Sequence, residues 1–137
     1  MPKELICDLM KVALSDKNSQ DHITFPLHDK CIRRVKKCLN MNLDGYKCYI
    51  HCNDIRHVYN RHPEDHHYLC YVPDILKNFN SIEKENARDP RTGKAQLVYK
   101  FYKKYNGNLV KLVKMRVHKD KTINLKTLFV KDNEEVQ

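Results

Sequence analysis

The sequence holds no run approaching 18 apolar residues, so no segment reads as a membrane span. Its opening stretch, MPKELICDLMKVALSDK, mixes acids with lysines and has no apolar run ending in small residues at a cleavage point, which argues against a secretory signal. Without such a signal the chain is expected in the cytoplasm. There its six cysteines (Cys7, Cys31, Cys38, Cys48, Cys52 and Cys70) stay reduced and most of them serve as small apolar residues. Repeats and low-complexity tracts are also missing, and 137 residues suffice for one modest core. Acid is scarce in one region in particular. Residues 91–131 carry twelve Lys or Arg and a single acid, Asp120, whereas 46–90 hold six bases and seven acids, and the closing DNEEVQ is acidic. A net charge of +9 gathered this way makes a basic field suited to a polyanion, with a plain solubilising surface as the alternative.

Apolar periodicity arranges helices first and sheet second. Leu5, Ile6, Leu9, Met10, Val12 and Ala13 recur at helical spacing, predicting an amphipathic helix over about 3–15, and SDKNSQD (15–21) reads as loop. Leu27, Cys31, Ile32, Val35, Cys38 and Leu39 form the stripe of a second helix, with Arg33, Arg34, Lys36 and Lys37 off it and Pro26 at its start. After the Asp44-Gly45 turn, YKCYIH (46–51) alternates like a strand. Asn53 is placed to cap a helix DIRHVYNRH, which Pro63 must stop. YVPDILKNF (71–79) predicts a further helix near Pro73, and EKENARDPRTGK (83–94) a long polar loop.

AQLVYKFYKKYNGNLVKLVKMRVH then reads as a hairpin. A three-residue loop ending at Gly107 pairs Leu97 with Met115 and Tyr99 with Val113 and keeps the apolar faces together. A two-residue Asn106-Gly107 loop would bury lysines instead. In the last strand, INLKTLFVK, Ile123, Leu125, Thr127 and Phe129 share a face. The expected fold is α+β, with N-terminal helices packed on a C-terminal antiparallel meander of about four strands. It divides into a helical region (1–45), a core (46–131) and an acidic tail (132–137) within one compact domain.

HCNDIRHVYNRHPEDHH (51–67) concentrates five of the eight histidines. With Cys48, Cys52 and Cys70 near it, zinc is one reading, but Cys48-x3-Cys52 is loose and no second close pair completes a ligand set, so no metal ligand is assigned. On the helix from Asp54, the stripe Ile55, Val58, Tyr59 also takes in His62, while His57 points away near Arg61. Pro63 pushes the residue before it out of helical conformation, which lets His62 swing toward a site at the helix end. A satisfied core histidine (His62) and an exposed partner of Asp54 (His57) are the plainer alternatives.

Imidazole suits proton transfer near neutral pH. Beside a basic, aromatic-bearing sheet with Lys100, Lys104, Arg116 and Tyr102, the matching reaction is cleavage of RNA by its own 2′-hydroxyl. That reaction needs a base, an acid and a cation for the charged phosphorane, and no cofactor. Tyr99 and Tyr105 are further rings that could stack bases, Tyr99 also fitting the core. His66 and His67 fall to solvent or substrate contacts. Thr127 puts a hydroxyl on an otherwise apolar strand face, where it can bond a phosphate oxygen; strand propensity alone is the other explanation.

In order along the chain, IHCNDIRHVYNRHPED, YVPDILKNFNSIEKE, the basic hairpin and NLKTLFVK resemble the phage-type nuclease families of the Barnase–EndoU–colicin–RelE (BECR) fold over about 46–131. His57, Val58, Arg61 and His62 match an H-I-x-x-R/K-H-like motif, and Ile75, Leu76, Asn78 and Ile82 an I-L-x-N-x-x-x-I-like element. Lys103 or Lys104 matches the lysine-bearing strand, and Thr127 before Leu128-Phe129 the closing one. Phe79 and Asn80 depart from the Asn-Pro common at that place. The resemblance implies a toxin-like, metal-independent endoribonuclease that leaves a 2′,3′-cyclic phosphate on tRNA, rRNA or mRNA. It implies His57 and His62 as acid and base, Lys103 (or Lys104) and Arg61 as charge stabilisers, and Thr127 as phosphate anchor. With the basic field it also implies an acidic immunity or antitoxin partner. From other classes, the rivals are a non-catalytic nucleic-acid-binding module and a zinc-stabilised interaction domain.

Overall fold

A computed structural model describes residues 2–90 and 92–131, so the acidic tail 132–137 lies outside the described residues. The order of elements is α1 (Pro2–Ser15), β1 (His22–Pro26), α2 (Asp29–Leu39), β2 (Lys47–His51), α3 (Cys52–Arg61), a 3₁₀ turn (His66–Tyr71), α4 (Val72–Asn78), β3 (Ser81–Arg88), β4 (Ala95–Tyr105), β5 (Asn108–Val117) and β6 (Thr122–Val130). No helix among the described residues is long and apolar enough to cross a membrane.

The helices form where their stripes predict. α1 buries Ile6, Leu9, Met10 and Ala13, while Leu5 stays exposed. α2 buries Cys31 and Val35. It is capped by His28, whose Nδ1 accepts the Lys30 N–H, and it ends at Asn40 in the left-handed region, where φ is 56°. Pro26 closes β1 instead of starting α2. The cap of α3 is His51, not Asn53: His51 Nδ1 accepts the Asn53 N–H at 2.9 Å, and the Asp54 carboxylate accepts the His51 N–H at 3.2 Å. Asn53 is already inside the helix, where its Oδ1 accepts from Arg56 at 2.7 Å. The same Arg56 guanidinium donates to the carbonyls of Ala13, Asp16 and Ser19, which ties the end of α1 to α3.

Six strands form one mixed sheet in the order β1-β2-β6-β5-β4-β3, more than the antiparallel meander of about four. Two strands were not legible as such. β1 pairs antiparallel with β2, and β3 occupies the first part of the expected polar loop, pairing with β4 from Ser81 to Arg88. β3 is almost entirely exposed and carries Glu83, Lys84 and Glu85, charges that suit a strand guarding a sheet edge. β2 runs parallel to β6 over Lys47–Tyr49, the one parallel pairing among the described residues. All four helices add buried residues to a core lined by one sheet face, through Phe25, Cys48, Ile50, Tyr99, Phe101, Val110, Leu112, Ile123, Leu125 and Leu128.

The hairpin register differs from the expected one by a residue. Tyr99 stands opposite Lys114 and Val98 opposite Met115, with Asn106 (φ 51°) and Gly107 (φ 85°) making a two-residue turn. Successive positive φ values match the right-handed strand twist, and this local geometry overrides the alternation of apolar side chains. As that loop requires, a lysine is buried. Lys114 is fully buried, with Nζ 3.1 Å from Cys48 Sγ and 3.3 Å from the Tyr49 carbonyl oxygen.

A second irregularity lies in β6. Val113 pairs with Thr127 but Lys114 with Leu125, so Lys126 is an extra residue on β6. The bulge reverses the facing of everything after it. Ile123, Leu125 and Leu128 face the helices, while Thr127 and Phe129, expected beside Ile123 and Leu125, turn to the open face.

If register alone holds Lys114 inside, Lys114→Met should leave stability unchanged or raise it by about 1–4 kcal/mol in urea unfolding, because the buried ammonium is removed and its length kept. Lys114→Ala should cost about 2–5 kcal/mol by emptying the site. A Met variant as unstable as the Ala variant would show instead that the charge itself is needed.

Candidate active site

β2 pairs with only the first residues of β6, and the chain leaves β2 directly into α3. Beyond Asn124, α3 and the loop after it run along β6 in place of β2. The Val130 N–H donates to Asp65 Oδ2 at 3.0 Å, which satisfies the strand edge there. This arrangement sets two histidines along one strand. His57, exposed on α3, lines an open cavity of about 440 Å³ with Asp54, Gln96, Met115, Leu125 and Lys126. His62 ends the helix at φ −138°, ψ 63°, the departure that Pro63 predicts, and its ring stacks on Phe129 at 4.9 Å. Thr127 lies on β6 between those two contacts.

Phe129 is part of a cation–aromatic cluster on the open face. Lys111, its cross-strand partner, places Nζ 5.4 Å from the Phe129 ring and 5.9 Å from that of Tyr102. Lys131 Nζ is 5.4 Å from the Tyr102 ring, and the Tyr102 hydroxyl donates to Glu83 at 2.6 Å. Lys111 and Lys131 were not singled out from sequence. The signal for Lys111 was available in principle, since in the two-residue turn it falls directly opposite Tyr102.

Lys100, Tyr102 and Lys104 alternate along β4 on this open face. Lys100 forms an ion pair with Glu85 at 2.5 Å, which holds that carboxyl below its usual range, and Lys104 is exposed. Lys103 points to the opposite face. Its Nζ is 5.9 Å from the Tyr105 ring, and its charge helps to lower the Asp74 carboxyl. The structure therefore does not bring Lys103 together with Thr127. Arg116 likewise turns to the face of Tyr99 and Lys114. Arg61 is exposed at the end of α3. His66 is held by the Pro63 carbonyl at 2.7 Å and lies edge-on to Tyr59, while His67 is exposed against Tyr68 at 4.2 Å. Both sit on the 3₁₀ turn that follows the His62 loop.

Burial pushes the Asp54 carboxyl above its usual range, despite the His51 N–H and the charges of His51, Lys114 and His57 that favour the carboxylate. Among the described residues, His62, Glu64 and Asp65 bring possible ligand atoms within 4.8 Å of one another. Of the histidine–cysteine set weighed for zinc, Cys48 faces Lys114, and Cys52 is buried at the start of α3.

Residues 29–137, well over half of the chain, match the model of a family described as phage-Barnase-EndoU-ColicinE5/D-RelE like nuclease3. No curated protein and no solved structure matches the chain. The family match begins at the first residue of α2 and so takes in a helix upstream of the 46–131 resemblance.

The position of Lys103 carries a pH signature. Burial acts to raise the Asp74 carboxyl, but hydrogen bonds from Tyr105 and Asn78, with Lys103 and Lys77 nearby, outweigh it and hold it below its ordinary value of 3.8. A carboxyl depressed on folding stabilises above that ordinary value, and the stabilisation is lost as pH falls through the folded one. Asp74→Asn should therefore be less stable than wild type at neutral pH, with the gap closing below pH 3.8. A gap unchanged into strong acid would count against this network.

Proposed function

The chain belongs to the phage-type Barnase–EndoU–colicin E5/D–RelE-like nuclease family, and from that premise we propose that it is a metal-independent endoribonuclease. In this reading the 2′-hydroxyl of one nucleotide attacks the adjacent phosphorus, the 5′-oxygen leaves, and a 2′,3′-cyclic phosphate remains. The observation that carries it is the pairing of two imidazoles along β6, His57 in a cavity and His62 on Phe129, with Thr127 between them and Lys111 on the same face. One imidazole takes the 2′-hydroxyl proton while the other delivers a proton to the 5′-oxygen. The Thr127 hydroxyl donates to a non-bridging phosphate oxygen, and Lys111 stabilises the charge that builds on the phosphorane. Lys111 replaces Lys103 in that role because it shares the face of Thr127. Lys100, Tyr102 and Lys104 extend the surface along the RNA, with Arg61, His66 and His67 at the helical rim. Toxin-like action on cytoplasmic RNA fits this chemistry, and an acidic immunity or antitoxin protein is the partner that the basic open face would draw.

The test is total RNA incubated with purified protein in excess EDTA, with end-group analysis. Wild type should give discrete products with cyclic-phosphate ends. His62→Ala should lose about 10²–10⁴ of the rate, and Thr127→Ala and Lys111→Ala about 10²–10³. Lys103→Ala should stay within a few-fold of wild type. Intact RNA from a folded wild type would leave a non-catalytic binding module, and equal losses in the Lys103 and Lys111 variants would sink the assignment of the cation.

A further inference from the structure

α1 lies ahead of the residues that match the family, yet it packs on α3 and on the 3₁₀ turn, the two elements that carry the site's histidines. At that seam two reduced thiols meet. Cys7 and Met10 stand about one turn apart on α1, and Cys70 comes from the 3₁₀ turn. Cys70 Sγ is 3.5 Å from Met10 Sδ, and Cys7, one turn from Met10 on the same helix, lies near enough to act on the Cys70 thiol. Both cysteines are half-buried, so a small reagent can reach the pair. The other neighbouring thiols, Cys31 and Cys48, are fully buried and closed to one.

We infer that Cys7 and Cys70 form a disulfide that staples α1 to the 3₁₀ turn when the protein meets a small disulfide oxidant of the oxidised-glutathione class. The Cys7 thiolate attacks one sulfur of the oxidant, forming a mixed disulfide and expelling one thiolate. The Cys70 thiolate then attacks the Cys7 sulfur and expels the second. Two protein thiols are oxidised, two electrons pass to the oxidant, and the two thiol protons end on the two released small thiols. Burial first, then contact with Cys7, pushes the Cys70 thiol up to about 12, so ring closure is the slow step and quickens as pH rises. Because the bond spans most of the first half of the chain, it restricts the unfolded state strongly. The six cysteines remain free in a reducing compartment, and the staple closes outside one.

The experiment uses the full chain carrying Cys38→Ser, which removes the exposed thiol. After treatment with oxidised glutathione, alkylation and digestion, the expected result is a Cys7–Cys70 linked peptide and the loss of two titratable thiols. The thermal midpoint should rise by about 5 °C or more and fall back on reduction. Cys7→Ala and Cys70→Ala variants should each abolish both the link and the rise. A lasting glutathione adduct on Cys7 beside a free Cys70, or a link through another cysteine, would overturn the inference. So would a linked protein that melts no higher than the reduced one. None of these readouts depends on nuclease activity.

Discussion

One extra residue in β6, Lys126, sets the character of both sheet faces. Ahead of the bulge, Ile123 and Leu125 complete the core under the helices; beyond it, Leu128 takes over that task. Thr127 and Phe129 are thereby released to the open side. An unbroken β6 would bury Thr127 among aliphatic side chains and expose Leu128. The bulge costs one ladder position, and the gain is a strand that serves the core and still presents a hydroxyl and a ring on the open face.

Electrostatics follow from the same alternation. β4 and β5 are rich in lysine on both faces, but the two faces treat the charge differently. On the open face Lys111 lies over aromatic rings, and the edge strand β3 supplies Glu83 to Tyr102 and Glu85 to Lys100. On the helix face Lys103 is spent on the Tyr105–Asp74 network and Lys114 on Cys48 and the Tyr49 carbonyl. Net positive charge therefore does not translate directly into substrate-binding charge. Only a fraction of it shares a face with Thr127 and Phe129.

The segment ahead of the family match is integrated with the core. β1 extends the sheet beyond β2, and Arg56 binds three carbonyls at or after the end of α1, which fixes the helix carrying His57 and His62 against the N-terminal helix. Contacts of this kind fix where the helix's side chains stand, since an imidazole is only as well placed as the helix that bears it.

Much of this was legible along the chain. Helical stripes, the stop at Pro63, the strand character of 46–51 and the basic hairpin all follow from local rules of periodicity and fixed proline φ. β1 and β3 were not legible, because the alternation in β1 is only Ile23 and Phe25 long and β3 is almost wholly polar. Tertiary structure alone decided the register of β4 on β5, the bulge at Lys126 and the continuation of β2 by α3 alongside β6. Side-chain period in a strand is two, so a one-residue change in pairing exchanges the faces completely. That is why Lys103 and Lys111, indistinguishable as lysines in a basic hairpin, end on opposite sides of the sheet.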